Sequence, residues 1–193
     1  MDLNLKGKTG VIAGLKGSGK SNLADTIART YGGQAIIYDT LGEYNEKAPY
    51  DLYRPNDRNS TAELEKVIRG VMRSRAYKLL VIDEAHRSCP PKPAPLPLAV
   101  RDLNDFCRHE QYDLSVLFIT QRPVKLNQDI TEQADYLFLF RLAGVNDQKY
   151  LNELSAGLGD AVPKLPLYHF YMCDQTRAYT LMAPVPKADK SSH

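Results

Sequence analysis

Residues 14–21 read GLKGSGKS, with glycines at 14, 17 and 19, lysines at 16 and 20, and a closing serine. The glycines let the backbone curl until successive N–H groups point inward. A helix that starts there adds the partial positive charge of its N-terminus to the same hollow. The flanks supply this context. TGVIAG (Thr9–Gly14) is a short apolar run closed by glycine, the mark of a buried strand, and SNLADTIARTYG puts Leu23, Ala24, Ile27 and Ala28 on one helical face. Strand, glycine loop and helix in that order match the phosphate-binding pattern G-x-x-x-x-G-K-S/T. Gly14, Leu15, Lys16, Gly17, Ser18, Gly19, Lys20, Ser21 and Asn22 are therefore expected to cradle a polyphosphate.

The rest of the chain continues the alternation. QAIIYDT, YKLLVIDEAH, LSVLFIT and DYLFLFRL read as strands. Thr61–Arg75 is an amphipathic helix with Leu64, Val67, Ile68, Val71 and Met72 on its apolar side, and Leu98–His109 and Val145–Ala156 are further helices. LYHFYMCD and RAYTLMA read as two strands joined by a turn at DQT. DLYRPNDRNS is turn-rich, and CPPKPAPLP (Cys89–Pro97) is a stiff, polyproline-like loop. Alternating strands and helices predict an α/β fold: a mostly parallel central sheet flanked by helices, with the last two strands as a C-terminal β-hairpin at its edge. With 193 residues, 43% hydrophobic and 25% charged, the chain fits one globular domain, 1–183, followed by a loose polar tail, 184–193.

Composition narrows the setting. Three scattered cysteines, Cys89, Cys107 and Cys173, with no C-x-x-C pair, suit reduced thiols in a cytosolic compartment rather than a zinc site. MDLNLKGK lacks an apolar signal core, and no apolar run approaches the roughly 20 residues that span a bilayer, so no direct membrane insertion is expected. A net charge of +2 permits contact with nucleic acid without demanding it.

Two further strand ends carry chemistry. In LLVIDEAH (Leu79–His86) four apolar residues run straight into Asp83 and Glu84, which strand alternation sends in different directions. Asp83 fits the Walker B role of holding Mg²⁺, and Glu84 fits the base that orients or activates water. Lys20 would reach the β- and γ-phosphates of ATP, and the Ser21 hydroxyl would join Asp83 as a Mg²⁺ ligand. His86 reads as structural. Lys16 is a loop cation, since the extra lysine of partition-type ATPases would fall on Leu15. SVLFITQRP (Ser115–Pro123) is a core strand tipped by an amide and a guanidinium. In additional-strand P-loop ATPases such a strand lies between the P-loop and Walker B strands, so its tip faces the γ-phosphate. Gln121 then suits a γ-phosphate sensor, Thr120 is a weaker candidate, and Arg122 would relay the signal to a neighbour.

Together, GLKGSGKS, VIDEAH, FITQRP and YDTLGEY (Tyr38–Tyr44) resemble the HerA/FtsK superfamily of DNA-pumping ATPases, over about Thr9–Leu142. The last segment is similar to the D-x-x-G-E-Y run after the second strand in HerA-type proteins. The resemblance implies a RecA-like additional-strand fold, ATP and Mg²⁺ as cofactors, and a homo-oligomeric ring, usually a hexamer, around double-stranded DNA. Small single-domain members are typically genome-packaging ATPases of tailless icosahedral viruses. That implies a capsid or membrane-vertex protein as partner, in the host cytoplasm or at a virion vertex. An arginine finger from the neighbour is also implied. Arg108 is one candidate, although its segment CRHEQYDLS is longer than the family pattern and lacks the glycine, and a surface arginine at a helix end is the equal alternative. Arg141 is the second candidate.

Arg87 and Lys92, beside the proline-rich loop, and Arg69, Arg73 and Arg75 on the helix before it are candidates for DNA contact, against the reading of a solvated face. Two other functions stay open: a small nucleoside or nucleotide kinase, and a Zot-like secretion or phage-assembly ATPase.

Overall fold

A computed structural model describes residues 5–187. The elements run β1 (Thr9–Ala13), α1 (Lys20–Tyr31), β2 (Ala35–Tyr38), β3 (Asp51–Tyr53), α2 (Thr61–Ser74), β4 (Leu79–Ile82), α3 (Leu98–Phe106), β5 (Ser115–Thr120), α4 (Gln128–Gln133), β6 (Tyr136–Phe140), α5 (Val145–Leu154), α6 (Leu158–Ala161), β7 (Phe170–Cys173) and β8 (Tyr179–Met182). All eight strands join one sheet in the order β3-β2-β4-β5-β1-β6-β7-β8. The pairings from β3 to β6 are parallel, and β6–β7 and β7–β8 are antiparallel. This is the RecA-like P-loop architecture, with β5 as the strand between β1 and β4 and the final hairpin at the edge.

Strands β1, β2, β4 and β5 are buried from end to end because both faces of the sheet are covered. Alternate residues feed two cores. Val11, Tyr38, Leu80, Ile82, Phe118 and Leu139 pack with α2, α3 and α5, whereas Ile12, Ile37, Val81, Ile119 and Phe138 pack with Leu23, Ala24 and Ile27 of α1. A one-residue slip of any of these strands would exchange the two sets, so the register is fixed on both sides. Among the described residues, no helix is long and apolar enough to cross a membrane.

Several local differences from the sequence reading have simple causes. The turn-rich segment DLYRPNDRNS contains β3, a three-residue edge strand too short to show periodicity. The helix expected over Leu98–His109 stops at Phe106, where the chain enters turns that lead to Asp113 at φ +46°. The short helices α4 and α6, with six and four residues, are below the length at which a helical stripe can be recognised. Helix α2 is capped by Ser60, whose hydroxyl accepts from Glu63 N–H at 3.1 Å, and it ends on Arg75 in the left-handed region at φ +55°. The proline-rich loop is fixed by Asn127, whose amide donates to Pro90 O and Ala94 O at 3.0 and 3.1 Å. Residues 188–193 of the expected loose tail lie outside the described residues, and residues 184–187 run back to α1.

The N-terminal ends of the central strands are tied by a buried carboxylate. Asp135 accepts from Thr9 N–H at 2.7 Å and from the Gln175 amide, with Lys8 and Arg108 each 3.6 Å away. Burial pushes this carboxyl up, but the Thr9 amide, Gln175, Arg108 and Lys8 outweigh burial and hold it below the ordinary range. Removing the carboxylate would leave a buried amide unpaired. Asp135→Ala should therefore destabilise the fold by about 2–4 kcal/mol, read as a lower urea midpoint. A change below about 0.5 kcal/mol would show that the cluster is a surface ornament.

Candidate functional site

The parallel register brings three strand ends to within two residues of one level. Ala13 pairs with Thr120 across β1–β5, and Ile82 pairs with Phe118 across β5–β4. Ligands of such sheets bind beyond the carboxyl ends of the strands. Here a cleft of about 490 Å³ opens there, lined at one end by Lys16, Lys20, Ser21, Asp83, Glu84 and Gln121. The site residues expected at the three strand tips thus share one cavity.

The glycine loop is held against β6. Leu15 N–H donates to Arg141 O at 3.0 Å, and Ser18 N–H donates to Leu15 O at 3.2 Å. A Cβ at Gly14 would sit 2.5 Å from Phe140 Cβ, so only glycine allows this approach. Gly19 caps α1 at φ +111°, a conformation L side chains rarely adopt. Of the predicted loop residues, Lys16, Gly17, Gly19, Lys20, Ser21 and Asn22 line the cleft, while Gly14, Leu15 and Ser18 shape the loop behind it. Lys20 is buried, and its ammonium donates to Leu15 O at 3.0 Å. Burial lowers its pKa, and the carboxylates of Glu84, Asp83 and Glu43 pull the other way.

The D-x-x-G-E-Y segment turns out to be a built loop. Asp39 is fully enclosed and accepts from Gly42 N–H at 2.8 Å, Glu43 N–H at 3.0 Å and Arg54 Nε at 3.1 Å. Thr40 Oγ1 donates to Asp83 O at 2.8 Å, which fastens this loop to the end of β4. The outcome is that Glu43 enters the cleft, where its carboxylate accepts from the Ser21 hydroxyl at 3.4 Å. Glu43 was not singled out from the sequence as a site residue, and its position in YDTLGEY was the available signal.

Asp83 and Glu84 both line the cleft, contrary to the expectation that alternation parts them. Strand β4 ends at Ile82, and Glu84 adopts a left-handed backbone at φ +49°, so pleat geometry no longer applies. Asp83 Oδ2 is buried with no hydrogen-bond partner. Burial, then the charge of Glu84, push Asp83 up to about 7. Glu84 is engaged on both oxygens: Gln121 Nε2 donates to Oε1 at 3.0 Å, and His86 Nε2 lies 3.5 Å from Oε2. Thr120 Oγ1 lies 3.4 Å from the other ring nitrogen of His86. Gln121 therefore meets Glu84 as well as the cleft. Arg122 forms a 2.8 Å ion pair with Asp147, a fully buried carboxylate in the first turn of α5, so the tip of β5 is wired to the next helix.

The two finger candidates differ. Arg108 Nη2 donates to Gln133 O at 2.9 Å and faces Asp135, at the end of the sheet away from the cleft. Arg141 is exposed, has no ion pair among the described residues, and offers its carbonyl to the glycine loop. Among the DNA-contact candidates, Lys92 pairs with Asp129 at 2.7 Å and Arg87 donates to Asn59 at 3.1 Å. Arg69, Arg73 and Arg75 line a groove between α2 and α3 beside Phe106 and Tyr112.

Fold and cleft together have the architecture of an additional-strand P-loop NTPase fold. No protein-family model and no curated protein matches the sequence. Solved structures do. The genome packaging NTPase B204 of Sulfolobus turreted icosahedral virus 2, in complex with ATPγS, superposes with a TM-score of 0.79 at 22% identity, covering 95% of this chain and 100% of that one. B204 of Sulfolobus turreted icosahedral virus, the DNA-packaging ATPase, gives 0.77 at 20% identity, covering 94% and 99%. The N-terminal domain of zonular occludens toxin from Neisseria meningitidis gives 0.55 at 13% identity, covering 93% and 95%. At these identities the likeness establishes the fold, and that fold agrees with the HerA/FtsK resemblance of the motifs.

The raised pKa of Asp83 has a measurable consequence. A carboxyl whose folded value exceeds its unfolded value stabilises the fold at low pH and loses that contribution as pH rises through the folded value. For Asp83 the window runs from the ordinary value of 3.8 to about 7. In the absence of nucleotide, Asp83→Asn should raise Tm by several degrees at pH 8 and by almost nothing at pH 4. Equal shifts at both pH values would remove the desolvated-carboxylate account.

Proposed function

We propose that this chain is an ATP-hydrolysing motor that packages double-stranded viral DNA into a capsid as a homo-oligomeric ring. The single observation that supports this most is the meeting of Lys20, Asp83, Glu84 and Gln121 in one cleft at the tip of the inserted strand β5. The structural likeness to the B204 packaging NTPases supports the viral setting.

The residues present suit Mg²⁺–ATP. The buried Asp83 Oδ2 has no hydrogen-bond partner, and the Ser21 hydroxyl stands at the start of α1 in the same cleft. These two groups would hold the ion, with Glu43 close by. Bound Mg²⁺ would neutralise phosphate charge. Lys20, pre-positioned by Leu15 O, would contact the β- and γ-phosphates, and the inward-facing amides of the loop would take the remaining oxygens. Glu84 orients the attacking water. In the structure its two oxygens face Gln121 and His86, so Gln121 must share its amide between Glu84 and the γ-phosphate to act as a sensor. The Arg122–Asp147 pair then carries the state of the β5 tip to α5.

Arg141 is the better placed finger, because Arg108 would have to abandon a buried carboxylate to reach another subunit. DNA contact by phosphate backbone fits the arginines of the α2–α3 groove. The setting is the host cytoplasm or a virion vertex, with a capsid or vertex protein as docking partner. A Zot-like assembly ATPase is the second reading, on the strength of the toxin-domain likeness.

The reading predicts Mg²⁺-dependent ATP hydrolysis stimulated by duplex DNA. Lys20→Ala should abolish nucleotide binding. Glu84→Gln should keep binding and lower kcat by about 10²-fold or more. Hydrolysis indifferent to DNA, by a species that stays monomeric with nucleotide bound, would contradict the motor.

A further inference from the structure

The cleft has a second end that the phosphate chemistry leaves without a task. Beyond Gly19 it is lined by Phe140, Tyr168, Pro184, Val185 and Lys187. Phe140 is 2% exposed and belongs to the core, but Tyr168 is 45% exposed. Tyr168 is also held at φ +64°, a backbone region that a bulky residue occupies only when its surroundings impose it. Its ring lies alongside the glycine loop, since a Cβ on Gly19 would come within 3.5 Å of Tyr168 Cδ1.

The C-terminal segment also lines this cleft. Asn22, one residue after Ser21 on α1, turns its amide to that segment and donates to Val185 O at 2.9 Å and Pro186 O at 3.4 Å. The helix that presents the phosphate-facing residues thus also clamps residues 184–187. The sequence there is Pro-Val-Pro-Lys, whose prolines restrict the backbone and present an apolar strip with little freedom to lose.

We propose that Tyr168 and the Asn22-clamped segment 184–187 form the nucleoside subsite of this cleft, with the base stacked on the Tyr168 ring and flanked by Pro184 and Val185. This rests on the nucleotide reading of the site. A half-exposed aromatic face beside an apolar strip suits a base, and the phosphate cradle in the same cavity suits the triphosphate. Aromatic stacking accepts the π-face of any base. In this arrangement Asn22 acts on the nucleoside through the segment it holds, whereas Lys20 acts on the phosphates.

The experiment is calorimetric titration of the full-length protein, in Mg²⁺, with ATP and with inorganic tripolyphosphate. Tyr168→Ala should weaken ATP binding about 5- to 50-fold while tripolyphosphate affinity stays within about two-fold of wild type. Tyr168→Phe should restore ATP binding, which a merely structural role of the hydroxyl or backbone would not foretell. ATP affinity unchanged in Tyr168→Ala overturns the proposal, as does an equal loss of both ligands, which would mean a disturbed loop. Wild-type protein that binds neither ligand overturns the nucleotide reading itself, and with it the subsite.

Discussion

The parallel pairing of β5 between β1 and β4 is the constraint on which the site depends. It brings the ends of three strands to within two residues of one height, so the glycine loop, the acidic pair and the Gln121 amide open into one cleft. Were β5 at an edge, Gln121 would be a polar cap with nothing to read. The pairing is secured by two independent cores, one on each face of the sheet, and by the Asp135 cluster at the other end of the strands. Rigid packing below is what allows strained, desolvated groups above, where Glu84 has a left-handed backbone and Asp83 a lone buried oxygen.

From this cleft polar connections run outward in three directions. Thr40 joins the end of β4 to the Asp39 loop and so to Glu43. Arg122 joins the end of β5 to Asp147 on α5. Asn22 joins the start of α1 to the C-terminal segment. Each link has one end beside a cleft residue and the other on a separate part of the chain.

Much of this was legible in the sequence because the signals were local. Glycine spacing with a strand before and a helix after located the phosphate loop, and the abrupt passage from Leu79–Ile82 to Asp83 located the acidic end of β4. The amide at the tip of SVLFIT was recognisable as odd for a core strand, and its cavity position accounts for it. What stayed hidden required tertiary information. The edge strand β3 is too short for periodicity, and Glu43 reaches the cleft only because Asp39 folds its loop. The joint exposure of Asp83 and Glu84 to one cleft depends on a backbone reversal that strand alternation does not foresee. Tyr168 and Val185 lie far along the chain from the loop they flank, and neither carries a motif. The engagement of Arg108 with Asp135 likewise follows from the packing of β1, β6 and the segment after α3, not from any spacing in CRHEQYDLS.

The central claim is that the three strand tips meet around one triphosphate. The most direct measurement is an experimentally determined structure of the protein with Mg²⁺ and a non-hydrolysable ATP analogue. The account requires the γ-phosphate to lie within hydrogen-bonding reach of both the Lys20 ammonium and the Gln121 amide, with Asp83 and Ser21 turned to the metal. A triphosphate seated elsewhere, or a Gln121 side chain remote from the γ-phosphate, would contradict it.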